Sequence, residues 1–295
     1  MNERSGSNLK AKLILLAGVF SCSMSSAFFR YMTAPSTIAA TYRLGWTVLL
    51  MTPLIFSKRE TRKELLSLKG KDLAFCGLSG LFLAMHFVVW FESLSNTFIA
   101  SSTVLVNTEV AFAAFGYLLF FGKKIRKKEI LAIGIAFLGS VVIAIADTGG
   151  GAGKNAVLGD ILALLAAFFS ACYTLIGTRE RSHMSTMVYT YVLYWGCFLS
   201  LLVFDAVSGV PMTGYEPINW IMSLCLAVFC TLLGHSVFSW SLKFLTPTYV
   251  STVKLAGPVF ASVSAILLFG EIPGLIQVAG AAVVLAGVYL YAKNS

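Results

Sequence analysis

One acidic residue, Glu109, interrupts the run SSTVLVNTEVAFAAFGYLLFF from Ser101 to Phe121, which is otherwise apolar enough to live in lipid. A charge near the centre of a bilayer costs about 2.5–3.5 kcal/mol on insertion scales, so it is kept for a purpose and with a partner. Two cations, Arg43 and Lys254, stand in comparable runs. Two chemistries fit these three charges. In the first, Glu109 exchanges between Lys254 or Arg43 and a substrate ammonium or a proton. In the second, Glu109 and Lys254 form a permanent ion pair that only locks two helices together. His86 and His235 add side chains able to titrate between about pH 5 and 8; they relay protons or bind substrate, or each is simply hydrogen-bonded to a neighbouring helix. Trp90 and Trp240 offer aromatic walls with a face for a cation, or else anchor helix ends at the membrane interface. Asn107 and Tyr42 are further polar groups for a cavity.

The elements that must position these residues follow from composition. Of the 295 residues, 58% are hydrophobic and 12% charged, against about 25% charged in an ordinary soluble domain. This is the composition of a membrane protein. Apolar runs of about 17–25 residues predict an all-α polytopic chain with ten transmembrane helices near 11–31, 36–56, 73–94, 97–121, 129–146, 157–178, 186–207, 219–242, 248–269 and 273–292. The first run, Ala11 to Tyr31, is longer than a signal-peptide core and lacks a cleavage site, so it is read as a span of the mature protein. Eighteen of the 22 lysines and arginines fall on one side, among them Lys58–Lys71 and Lys123–Lys128, against Arg30 and Lys154 on the other. The positive-inside rule therefore predicts cytoplasmic termini. The same distribution accounts for the net charge of +9 without nucleic acid as a partner. All six cysteines sit in apolar runs with no CxxC pair, which predicts small buried hydrophobes, without disulfides or a metal site.

The chain also repeats itself. Adding 149 carries Phe20-Ser21 onto Phe169-Ser170, Arg30 onto Arg179, Thr41-Tyr42-x-Leu44-x-Trp46 onto Thr190-Tyr191-x-Leu193-x-Trp195, His86 onto His235 and Thr97 onto Thr246. After a one-residue deletion the offset is 148, and Phe112-Ala113, Phe121-Gly122 and Gly139 meet Phe260-Ala261, Phe269-Gly270 and Gly287. The chain thus divides into a five-helix unit over 1–146, a linker over 147–156 and a second five-helix unit over 157–295. Five is odd, so the second unit enters the membrane from the opposite side and the two are inverted. Inverted repeats are the build of many secondary transporters, with the substrate near the midplane between the halves.

GDILALLAAFFSACYTLIGTR (Gly159 to Arg179) and GPVFASVSAILLFGE (Gly257 to Glu271), with Arg43 in the second span, resemble the EamA-type drug/metabolite transporter superfamily over essentially the whole chain. The resemblance implies a ten-helix inverted-repeat carrier of the cell membrane that moves small metabolites such as amino acids, often outward, through a cavity between the halves. Two places depart from it: Val110 stands where the second copy has Pro258, and Gly122-Lys123 where it has Gly270-Glu271. Glu109 and Lys254 are not carried over from the family; their role rests on local physics.

Other features have simpler expectations. Pro258, preceded by Gly257, would free the carbonyl of Lys254 and open a kink toward the cavity, as broken helices do in transporters, or only a packing kink. Asp160 is expected to cap the sixth span. GKKIRKK (Gly122 to Lys128) is a cytoplasmic anchor favouring anionic lipid headgroups. DTGGGAG (Asp147 to Gly153) is a hinge without the spacing of a phosphate loop. GLSG (Gly77 to Gly80) matches the short GxSG pattern of rhomboid-like proteases, with Ser79 as nucleophile and His235 as base, but glycine and serine at close helix contacts give the same letters. A channel would need rings of repeated charge, and the charges here are asymmetric. The expected function is a proton-linked or facilitative exporter of small amphipathic metabolites, with importer or exchanger of the same fold as the alternative. No enzyme activity and no cofactor are implied; the partners are substrate, protons where coupled, and the lipid bilayer.

Overall fold

The computed structural model describes residues 2–122, 126–147, 155–235, 237, 241, 253 and 256–294. Lys254 and Trp240, residues 123–125 of the GKKIRKK segment and residues 148–153 of the DTGGGAG segment lie outside them. Helices satisfy their own backbone polar groups, which lipid cannot, and the described residues are all helix and short connections. In chain order they are α1 (Asn2–Ser23), α2 (Ser25–Arg30), α3 (Ser36–Ser57), α4 (Arg59–Leu66), α5 (Gly70–Asn96), α6 (Ile99–Val106), α7 (Glu109–Phe121), α8 (Lys127–Asp147), α9 (Ala156–Glu180), α10 (Thr186–Val207) and α11 (Pro217–Cys225). A π-helical segment (Leu226–His235), α12 (Gly257–Phe269) and α13 (Leu275–Asn294) complete the bundle. Among the described residues, seven helical segments are long and apolar enough to cross a membrane, and α12 and the apolar part of α13 are shorter.

The fourth expected span, 97–121, is not one helix. It breaks at Asn107–Thr108, and Glu109 opens α7 instead of standing mid-helix. The cause is local competition for backbone groups. Asn107 Nδ2 donates to the Thr103 carbonyl at 2.6 Å, Thr108 Oγ1 to that of Leu105 at 2.7 Å and Thr103 Oγ1 to that of Ile99 at 2.7 Å. The amides of Asn107, Thr108 and Ala111 turn to carbonyls three residues back, tightening the chain out of α geometry. Serines act similarly at Met24, between α1 and α2, where Ser23 Oγ bonds the Val19 carbonyl at 2.7 Å.

Pro258 is not an interior kink. It lies in the first turn of α12, just after a turn at Ala256, where the missing amide would have had no helical partner anyway. Asp160 does not cap α9 either: the cap is Asn155, whose Oδ1 accepts from Leu158 N at 3.1 Å. Asp160 is buried five residues in, and accepts from Thr97 Oγ1 at 3.0 Å.

The halves echo each other. Helix α12 begins 148 residues after α7, both have 13 residues, and each ends before a left-handed glycine, Gly122 (φ 63°) or Gly270 (φ 67°). Helices α8 and α13 also begin 148 residues apart, and they cross tightly. A Cβ on Gly139 would sit 2.6 Å from Val284 N and 2.8 Å from the Gly280 oxygen. A Cβ on Gly287 would sit 2.5 Å from Ala136 N and 2.8 Å from the Ala132 oxygen. Each partner of one glycine is the 148-residue equivalent of a partner of the other, the self-complementarity of a two-fold contact. Small residues permit such approach where hydrophobicity supplies no drive between helices. Gly80 does the same in α5, against Cys197 and Gly196 of α10. Its neighbour Ser79 is fully buried and bonds the Tyr173 carbonyl at 3.1 Å and the Tyr189 hydroxyl at 2.9 Å, so the GLSG letters are spent on helix packing.

Candidate functional site

Both breaks open on one cavity. Its volume is about 210 Å³, and its walls include Arg43, His86, Trp90, Asn107, Glu109, Gly257 and Pro258. These seven of the expected residues are therefore brought together. Tyr42 is not: one residue from Arg43 along a helix is a turn of about 100°, and its ring faces elsewhere. There it stacks on Trp220 with centroids 4.0 Å apart and donates its hydroxyl proton to the Met212 carbonyl at 2.5 Å. His235 closes the π-helical segment; its side chain, Trp240 and Lys254 fall outside what the structure describes, and the expected Glu109–Lys254 pair with them.

Glu109 reaches the cavity as the first residue of α7, where the helix dipole favours negative charge. Its Oε2 accepts a short hydrogen bond from Ser170 Oγ of α9. His86 and Tyr173 line the same cavity. Among the described residues no ion pair joins Glu109 to Arg43. Arg43 is 2% exposed and held by hydroxyls: its Nε donates to Thr231 Oγ1 at 3.0 Å and its NH1 to Ser25 Oγ at 3.2 Å. The guanidinium lies 4.3 Å from the Phe87 ring centroid, a cation–π contact. Thr231 belongs to the π-helical segment, and its own hydroxyl bonds the Leu226 carbonyl five residues back at 3.2 Å. Such wide turns gather at functional sites because they re-aim one side chain without ending the helix.

The third wall is aromatic. His86 Nδ1 meets the Ala166 carbonyl at 2.9 Å; a carbonyl only accepts, so Nδ1 carries the proton. The imidazole stacks on Trp90 with centroids 6.1 Å apart, one turn along the same face. Trp90 Nε1 is buried without a hydrogen-bond partner among the described residues. An anion site, a cation site and an aromatic surface thus share a small enclosure.

Sequence reasoning missed Ser170, Tyr173 and the serines of α1 and α2, which also line the cavity. A signal existed: hydroxyl residues clustered in otherwise apolar runs at Ser21–Ser26 and Ser170.

Known proteins resemble this chain in sequence and in fold. An uncharacterized transporter of Archaeoglobus fulgidus is 26% identical over 250 residues, 82% of this chain and 84% of its own. A probable amino-acid metabolite efflux pump of Salmonella typhimurium is 27% identical over 180 residues, 58% of this chain and 59% of its own. A pump of the same description from Escherichia coli is 25% identical over 179 residues, with the same two shares. One solved crystal structure aligns with a TM-score of 0.61 over 96% of this chain and 97% of its own at 16% identity, a likeness of fold alone. The model of the EamA-like transporter family matches residues 9–145 and again residues 157–292. With nearly its whole length matched, this chain belongs to the EamA-like transporter family and is a multi-pass membrane transporter.

Proposed function

We propose that the protein is a secondary exporter of small amphipathic metabolites, amino acids foremost, working by alternating access in the cell membrane. In this reading the chain forms ten transmembrane helices in two inverted five-helix repeats, over 1–146 and 157–295, with both termini cytoplasmic. The equal half-helices, the reciprocal glycine contact and the one-sided lysines and arginines support it. The observation that carries the substrate class is one carboxylate and one guanidinium lining the same small cavity. A zwitterion's ammonium and carboxylate need opposite partners once out of water. Glu109 takes the ammonium and the remaining donors of Arg43 the carboxylate, while His86, Trp90 and Phe87 face the apolar part. About 210 Å³ falls below the range of about 300–1,000 Å³ typical of drug-sized ligands, which favours a small solute. The efflux-pump relatives point the same way on substrate and direction.

The test is flux of a mixed metabolite pool from proteoliposomes, read by mass spectrometry with and without a pH gradient. Amino acids leaving faster than from empty vesicles support the carrier. A rate that responds to the gradient makes Glu109 the leading proton site; a rate that ignores it makes the carrier facilitative and Glu109 a substrate or structural charge. Retention of every amino acid rejects that substrate class.

A further inference from the structure

A second cluster of reactive side chains lies well outside the cavity. Asp72 stands in the first turn of α5, Glu180 ends α9 and His183 follows in the next turn. One ligand atom from each lies within 4.8 Å of the other two. We propose that these three residues bind a divalent transition-metal ion, zinc foremost, at the cytoplasmic end of the bundle.

The distances carry the argument first. His183 Nε2 is 3.3 Å from Asp72 Oδ1 and 3.5 Å from Glu180 Oε2. Charge-assisted N–H···O bonds settle at about 2.7–2.9 Å, so the His183–Asp72 hydrogen bond and the His183–Glu180 contact are both loose for direct pairs. Ligands at zinc's bond lengths of about 2.0–2.2 Å around a tetrahedron lie about 3.3–3.6 Å from one another, and both distances from His183 have that spacing, with the Asp72 and Glu180 oxygens within 4.8 Å of each other. The second observation is independent. Glu180 is 1% exposed, yet its Oε2, turned to the cluster, has no hydrogen-bond partner among the described residues. A desolvated carboxylate oxygen is costly unless a cation completes it.

The supporting groups agree. Asp72 Oδ2 accepts the Lys69 amide at 3.0 Å, which fixes the carboxylate with Oδ1 toward His183. Glu180 Oε1 is 3.8 Å from Arg179 Nε, leaving Oε2 for the ion. His183 is half exposed and gives an ion a way in, with water to complete its shell. One imidazole with two carboxylates suits zinc or manganese, whereas magnesium prefers oxygen and water alone. The cysteines, on which the expectation of no metal rested, take no part. Because α5 and α9 lie in the two different segments matched by the family model, a bound ion would clamp one to the other.

The experiment uses the full chain in detergent, free of any affinity tag, with thermal unfolding followed as zinc chloride or magnesium chloride is added. Zinc at micromolar concentration should raise the melting temperature, magnesium should not, and equilibrium dialysis should find one zinc per chain. His183→Ala removes a half-exposed side chain and Asp72→Asn keeps an oxygen for the Lys69 amide, so each should weaken zinc binding about tenfold or more while the apo melting temperature holds. No stabilisation by zinc overturns the proposal. Equal stabilisation of the parent and His183→Ala also overturns it, by assigning the zinc to thiols elsewhere.

Discussion

The two ends of the bundle were built from the same pattern and are held differently. At one end Arg30 NH1 pairs with Glu271 Oε1 at 2.8 Å and NH2 donates to the Thr97 carbonyl at 2.9 Å. Glu271 Oε2 in turn accepts the first amide of α6, from Ile99, at 3.0 Å. One arginine and one glutamate thereby join α2, the end of α12 and the α5–α6 turn. At the other end Arg179 is the 149-residue equivalent of Arg30, but the position equivalent to Glu271 is Lys123. Without that acid Arg179 lies 48% exposed, its guanidinium 4.1 Å from the Phe75 ring centroid. Duplication copied the scaffold, and the charges then diverged. The Arg30–Glu271 latch thus has no acid to copy it at the equivalent position of the other end, Lys123.

The difference extends to the breaks, and the largest expected effect lies there. The helix of one half opens on Glu109, that of the other on Gly257. Glu109→Gln should abolish or uncouple amino-acid flux from proteoliposomes at unchanged expression; normal flux would reduce Glu109 to a structural hydrogen-bond acceptor. Next, Gly139→Leu drives a side chain into backbone atoms of α13 and should cost about 1–3 kcal/mol in strain, read as a lower melting temperature, with Gly287→Leu matching it. Unequal losses would break the equivalence of the two halves.

Smaller effects sharpen the comparison of the ends. Glu271→Gln should raise labelling of a cysteine placed near Arg30, with a coupling to Arg30→Gln on the order of 1 kcal/mol in a double-mutant cycle because the pair is partly exposed. No change in labelling would deny the latch. Pro258→Ala should shift the melting temperature least, because a first-turn proline forfeits no helical hydrogen bond, whereas an interior proline costs about 3 kcal/mol.

Much of the scaffold was legible because lipid forces length and polarity together. The expected span 186–207 and helix α10 coincide, and 36–56 differs from α3 by one residue. The break before Glu109 was not read, because Asn107 and Thr108 act through hydrogen bonds to the backbone, which hydropathy does not see. Yet a trace was present: the repeat offset falls from 149 to 148 between Thr97 and Phe112. Losing one residue inside a continuous helix would rotate all that follows by about 100°, so the change is tolerated where the helix is interrupted. Residue types drew attention to Glu109, Arg43, His86 and Trp90, which the structure places on one cavity, since buried charges in lipid are few. Tyr42 misled because adjacency in sequence is divergence in direction on a helix. The Asp72–Glu180–His183 cluster escaped because Asp72 lies 111 residues before His183 and only the packing of α5 on α9 brings it to the other two.

The reciprocal crossing of α8 and α13 has a geometric consequence. In the alternating-access reading proposed above, this equivalent, close backbone contact is where the halves are expected to turn against each other with the least change in separation. A pair of spin labels placed beside them on the lipid side would read the same separation in both orientations, while a pair spanning Arg30 and Glu271 would read two. The quiet pair would serve as the internal ruler against which all other displacements in the molecule are measured.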